Sequence, residues 1–515
     1  LVANPHWPPQ LGITATASTD HISELAALTA SELIDGYRQK DFTPSEVFSA
    51  VQSRIDQLNP EINAFYVREH TAAERAADQS TARWSGGRAN TVLDGVPITL
   101  KENLATVGTP SPAGTAALAD AAPATEDGPV AGLLSAAGAV RLGKTVMPEF
   151  GMLTSGVSSL HGVTRNPWNL DWTVGGSSAG SSAAAAARFG PIHIGTDIGG
   201  SVRLPANWTG LAALKPTYAI VPVDVPYIGR HVGPLARTID DVARAMQVIA
   251  QPDERCRDYT YQERPADWGA VASSPYDESD IAKLRVAIHT DAGCGLPTDP
   301  EVRAVIHSVG KAFEEAGACV EQIDPIMTPH QFEMLCLFFR ARAWRDVKNL
   351  SQSSREAALP YFVQWALGAA DLSATELLNA YDTVQTMRGA VIQATRSYDV
   401  VLSPVAPVAA FPADWCGPTN DPATALHDIV YTVPYNFSEQ PAATVNAGFT
   451  ADGRPVGVQF SGRRFDDVRL LQIARYRRQL SPAPTSSADR RQRDCLRTSP
   501  QHRPPGKNLS TPSTM

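Results

Sequence analysis

The chain has little that would mark it as secreted, membrane-spanning or bound to nucleic acid. Its six cysteines (Cys256, Cys294, Cys319, Cys336, Cys416 and Cys495) are scattered over 515 residues, with no C-x-x-C pair and no histidine at metal-ligand spacing. That argues against a disulfide framework or a metal cluster and favours free, mostly buried thiols in a reducing compartment. No stretch reaches the ~18 uninterrupted apolar residues of a spanning helix. The opening Leu1-Val-Ala-Asn-Pro-His lacks the cationic start and apolar run of a signal peptide, so a cytoplasmic location is expected. The first residue is not Met, which suggests processing or an incomplete start. Positive charge is also in deficit, with 44 Lys and Arg against 53 Asp and Glu and a net charge of −9. Nothing global therefore attracts nucleic acid or an anionic membrane.

What is present reads as an ordinary globular enzyme. Residues 1–22 form a Pro- and Thr-rich N-terminal arm, 23–480 a folded domain, and 481–515 a Ser/Pro/Arg tail expected to be disordered or a frameshift product. From Ser23 to about Ala82 the pattern is helical, with Thr43 as cap and Pro44 at the first helical position before Val47, Val51, Ile55 and Leu58. Thr91–Leu100 reads as a strand with a turn at Asp94-Gly95, delivering Lys101 at its end. Thirteen of the fourteen residues from Gly175 to Arg188 are Gly, Ser or Ala. The unbroken Ala183–Ala187 run favours a closely packed helix there over a flexible linker. Further strands are expected near 284–288, at Tyr398–Ser403 and at Pro455–Gly462, with helices at 302–316 and 466–479. The alternation implies an α/β sheet covered by helices on both faces.

Several short motifs compete. Gly138-Ala-Val-Arg-Leu-Gly-Lys144-Thr145 fits the phosphate-loop pattern, but its interior is strand-like and Pro148 follows where a helix should start. Ser178 sits in a G-x-S-x-G run, yet the segment before it is loop-like rather than the strand a nucleophile elbow needs. Ser308 and Lys311 fit S-x-x-K on an amphipathic helix, where a solvated face explains them.

A more specific constellation is Gly95-Val-Pro-Ile-Thr-Leu-Lys101-Glu-Asn103, then Gly175-Gly-Ser177-Ser-Ala-Gly-Ser, then Gly195-Thr-Asp-Ile-Gly-Gly-Ser201-Val-Arg203, closing with Gly210–Thr217. With Leu142-Gly-Lys-Thr, Asn166-Pro-Trp, Ser403-Pro-Val-Ala-Pro and Asp452–Gln459, it resembles the amidase signature family over roughly residues 25–480. That family includes bacterial amidases, fatty-acid amide hydrolases and amidotransferase amidase subunits. The resemblance implies a single large α/β domain with a mixed, twisted sheet between helices. It also implies a Ser–cis-Ser–Lys triad: Ser201 attacks the carbonyl, Ser177 relays the proton across a cis Gly176–Ser177 peptide, and Lys101 accepts it.

For that role Lys101 must be neutral, which burial favours although a free lysine titrates near ~10.4. The backbone amides at Ile198, Gly199, Gly200 and Ser201 would form the oxyanion hole, each worth on the order of 3 kcal/mol. Asp197 and Arg203 are expected to brace the loop. One departure is Ala179, where the family commonly has Gly. No metal or organic cofactor is implied.

The expected activity is hydrolysis of a carboxylic amide through an acyl-Ser201 intermediate. The alternatives are an esterase or carbamate hydrolase with the same triad, an amidotransferase amidase subunit, or a nucleotide binder. By resemblance, Phe150, Gly151, Met152, Tyr227 and Ile228 would wall the substrate pocket, with helices from 330–390. Phe338, Phe339, Phe362 and Trp365 suggest an apolar or aryl group on a small-molecule amide substrate, with ordinary core packing an equal reading. A homodimer is left open.

Overall fold

The computed structural model describes residues 24–259 and 266–480. The N-terminal arm, the tail and Cys495 lie outside them. Eleven strands form one sheet: β1 (Phe65–Arg68), β2 (Pro97–Lys101), β3 (Val140–Thr145), β4 (Ile192–Asp197), β5 (Ala212–Lys215), β6 (His231–Ala236), β7 (Arg285–Ile288), β8 (Cys319–Gln322), β9 (Val400–Pro404), β10 (Ala442–Phe449) and β11 (Pro455–Ser461). Their spatial order is β1-β3-β2-β4-β6-β5-β10-β11-β9-β7-β8. The sheet is mixed. β3, β2 and β4 run parallel to one another, as do β9, β7 and β8, while the middle pairings are antiparallel. Helices flank it, and no helix among the described residues is long and apolar enough to cross a membrane.

The N-terminal helices follow their caps. Thr29 and Thr43 each close a capping box, with Glu32 and Glu46, at the starts of Ala30–Gln39 and Pro44–Ile62. The helical expectation over Ser23–Ala82 is corrected at one place. Asn63 turns left-handed (φ 56°) and ends the second helix, and Phe65-Tyr66-Val67 leaves as β1, paired antiparallel with β3. Aromatic and β-branched side chains suit that edge position better than a helix. The strand expected from Thr91 also begins later, at Pro97. Its first half is a turn held by the Asp94 carboxylate, which accepts from Ser80 Oγ, the Arg83 guanidinium and the Asn90 amide.

The small-residue run forms the helix Ala179–Ala186, every residue of it buried. Gly180 donates its amide to Val146 O at 2.9 Å, and Ser181 Oγ lies 2.8 Å from Thr145 Oγ1. A β-carbon at Gly180 would meet the Ala64 carbonyl and lie 2.5 Å from the Val146 amide nitrogen. Gly180→Ala should therefore destabilise the protein by about 1–3 kcal/mol, because overpacking outweighs alanine's helix propensity. Unfolding in urea checks this, and an unchanged midpoint would refute it.

Parallel β2 and β4 are neighbours, so their carboxyl ends emerge on one side of the sheet. Lys101 ends β2, and the loop Ile198–Ser201 leaves β4 directly beside it. In α/β sheets ligands bind at such ends.

Candidate active site

Lys101 is fully buried. Its Nζ donates to Ser177 Oγ at 2.7 Å and to Thr196 Oγ1 at 3.1 Å. Asn103 Nδ2 reaches the same Thr196 hydroxyl at 3.1 Å. Burial lowers the Lys101 pKa to about 7; the Asp197 charge pulls it back up, and Arg230 pushes it further down. Burial thus favours the neutral amine that a proton acceptor needs.

The peptide joining Gly176 to Ser177 is cis, as the resemblance implies. The Ser178 amide donates to Ser201 O at 3.1 Å, which ties the Gly/Ser segment to the loop after β4. Ser177 and Ser201 line one cavity of about 720 Å³, counting its open mouth. Ser178 is fully buried, with Oγ donating to Thr196 O.

The loop is held by a buried pair. Arg203 binds Asp197 through two contacts, Nε–Oδ2 at 3.0 Å and Nη2–Oδ1 at 2.9 Å. Its other donors reach Thr432 O, Gln459 Oε1 and Asn436 Oδ1. Asp197 in turn accepts from Asn436 Nδ2 and from the amides of Gly200 and Val202. Burial alone would raise the Asp197 carboxyl, but Arg203 and Asn436 hold it far below the carboxylate range. The bracing role expected of Asp197 and Arg203 is what the contacts describe.

The same network claims one of the amides expected for an oxyanion hole. The Gly200 amide is committed to Asp197 Oδ1 at 2.8 Å and is not free for a substrate oxygen. Among the described residues, the amides of Ile198, Gly199 and Ser201 have no such partner.

Phe150, Gly151 and Met152 line the cavity, with Phe150 in the left-handed region (φ 49°) and stacked on Phe362 at 4.8 Å. A non-glycine residue held there is a strain typical of ligand sites. Tyr227 and Ile228 do not line it. They pack against the aromatic core behind the wall, and Arg342 lies over the Tyr227 ring at 4.4 Å. Arg230 and Arg342 line the cavity instead. Of the four aromatics considered, only Phe339 reaches it; Phe338, Phe362 and Trp365 are core. Sequence reasoning gave no role to Asn103, Thr196, Arg230 or Arg342. Asn103 and Thr196 stood in the quoted motifs, but nothing marked the two arginines.

The rival motifs dissolve. Lys144 lies within β3, fully buried, with Nζ bound to Leu104 O at 2.5 Å. Lys311 is exposed, 3.7 Å from Glu315. Of the described cysteines, Cys256 and Cys416 are buried, Cys294 and Cys336 half-buried and Cys319 exposed, and none is in a disulfide. No group of His, Cys, Asp and Glu among the described residues could hold a metal ion.

Comparison with known proteins identifies the relatives of this chain. The chain is 33% identical over 456 residues to an acylamidase of Rhodococcus erythropolis, covering 87% of this chain and 94% of that protein. It is 32% identical over 485 residues to a glutamyl-tRNA(Gln) amidotransferase subunit of Psychrobacter sp. (strain PRwf-1), covering 88% and 96%. Among solved structures it superposes on a bacterial aryl acylamidase of the amidase signature family with a TM-score of 0.79, at 25% identity, over 92% of this chain and 99% of that one. A fatty acid amide hydrolase shares the fold at a TM-score of 0.73 and 22% identity, over 92% and 87%. The family model for amidases matches residues 46–471, and the chain belongs to the amidase family.

Proposed function

We propose that the protein hydrolyses a carboxylic amide through an acyl-Ser201 intermediate, with Ser177 passing the proton to Lys101. The observation that carries this is the fully buried Lys101 amine, 2.7 Å from the Oγ of Ser177, which lines the same cavity as Ser201. Neutral Lys101 takes the Ser177 proton as Ser177 takes that of Ser201. The freed Ser201 Oγ adds to the amide carbon, and the Ile198 and Gly199 amides receive the oxyanion. Collapse expels the amine, protonated back through the same relay, and water then releases the acid. Apolar lining by Phe150, Met152 and Leu204 suits an apolar or aryl segment on the substrate.

Because Lys101 must be deprotonated, kcat/KM is expected to rise with pH through an apparent pKa near 7. Below it, activity should fall about tenfold per unit as the ammonium dominates. A pH–rate profile without this limb would count against a lysine base.

A second reading is favoured by the amidotransferase relatives: an amidase subunit that works with partners. One experiment tests both. The purified chain, alone, is offered matched amide, ester and carbamate substrates, beside Ser201→Ala. Turnover of amides without partners supports the free-standing hydrolase. Ester or carbamate preference would reassign the substrate, and silence on every substrate would favour the subunit reading.

A further inference from the structure

Two arginines on the cavity wall have no task in that mechanism. Arg230 follows the loop that precedes β6, and Arg342 lies on the helix Pro329–Lys348, so segments far apart in the chain bring two guanidiniums to one cavity. Burial weakens the charged form of each, and the charge of Arg342 weakens that of Arg230 further. Such a placement is costly unless an anion shares it.

The protein supplies no such anion. Neither arginine forms an ion pair with a carboxylate among the described residues; Asp346, whose charge favours the charged form of Arg342, is held by Arg345 at 2.6 Å. Arg342 Nε and Nη1 are buried and donate to no protein group. The Tyr227 and Phe339 rings lie against its guanidinium, at 4.4 Å and 5.7 Å, and Tyr227 also shares a side-chain hydrogen bond with it. The one carboxylate on the wall, Asp197, is saturated by Arg203, Asn436 and two backbone amides. The free charge of the cavity is therefore positive, beside a lining of uncharged polar groups such as Asn103 and Thr154 and apolar ones such as Phe150 and Leu204.

We propose that the amide taken by this site carries a carboxylate, bound by the paired guanidiniums of Arg230 and Arg342. The inference rests on the hydrolase reading above and narrows its substrate class. Planar forks match a carboxylate in geometry, and the charge-assisted bonds are worth about 10- to 100-fold in affinity. A substrate bearing an amine in place of the acid meets two cations and is rejected.

The test is a substrate series with purified full-length protein. It holds mono-amides of dicarboxylic acids with two to six methylenes, which carry the acid on the acyl side, and N-acetyl amino acids, which carry it on the amine side. Each is paired with a neutral isostere having an isopropyl group in place of the carboxylate. In at least one arm, the acid is expected to exceed its isostere about 10-fold or more in kcat/KM, chiefly through KM, and less so at high salt. Arg342→Met should bring that ratio close to one, and Arg342→Lys should keep part of it. A fluorophosphonate that titrates Ser201 normalises each variant to its folded fraction.

Neutral isosteres cleaved as well as the acids in both arms, or a ratio unmoved by Arg342→Met, would overturn the anion site alone. Calorimetry on Ser201→Ala separates the two readings. Tighter binding of the acid than of its isostere supports the anion site even where the wild type cleaves no amide, an outcome that would sink the hydrolase reading instead.

Discussion

Ser201→Ala is expected to lower kcat/KM for amide hydrolysis by about 10⁴- to 10⁶-fold, because the proposed mechanism places the acyl group on its hydroxyl. Ser177 has its oxygen committed to Lys101 at 2.7 Å. Ser178, one residue further on, is fully buried and bound to Thr196 O. Only Ser201 combines partial exposure on the cavity with unclaimed amides at Ile198 and Gly199 beside it. Residual activity would come from those amides and from binding. The check is twofold: steady-state rates for the variant, and intact-protein mass after treatment with a sulfonyl or phosphonyl fluoride. The wild type should gain one adduct at Ser201 and the variant none. An adduct on Ser178, located by peptide mass spectrometry, would overturn the assignment.

Arg203→Met should cost about 3–5 kcal/mol of folding stability, the largest single-site stability loss anticipated in this molecule. Arg203 is completely buried and its guanidinium satisfies Asp197, Thr432, Gln459 and Asn436 together. Removing it strands the Asp197 carboxylate without its counter-ion and leaves several acceptors without donors. Lysine cannot replace the two-point contact, so Arg203→Lys should recover only part of the loss. Pairing Arg203→Met with Asp197→Asn should restore more, because the buried charge goes too.

The sign with pH follows from the direction of the Asp197 shift. Its folded pKa lies below the unfolded value of about 3.9, so its stabilisation is complete above that value. It is lost as pH falls toward the folded pKa, and Arg203→Met should erase this acid-side dependence. Denaturant unfolding at pH 7 and at about pH 2.5, well below the unfolded carboxyl value, measures both effects. A loss below about 1 kcal/mol would mean that the pair contributes little. Activity should fall as well, since Asp197 also holds the amides of Gly200 and Val202 on either side of Ser201.

How far these features could be read from the residues depends on how local their causes are. The capping boxes at Thr43 and Thr328, the proline that follows each, and the Ala-rich helix are written within a few positions of chain. Strand β1 was missed for the opposite reason. Phe65–Arg68 is four residues long, and it is a strand because β3 lies beside it.

The site divides in the same way. The residue types for an acyl-transfer centre stand in three short runs around Lys101, Ser177 and Ser201, where glycine, serine and alanine permit close backbone approach. The sequence by itself determined the family and those three candidates. Tertiary structure alone decided that the Gly200 amide belongs to Asp197, that Tyr227 and Ile228 stand behind the wall, and that Arg230 and Arg342 stand on it. The physical reason is that a motif records which backbone can approach closely. The charge and shape of a cavity depend on side chains that meet only after the sheet and its covering helices have packed.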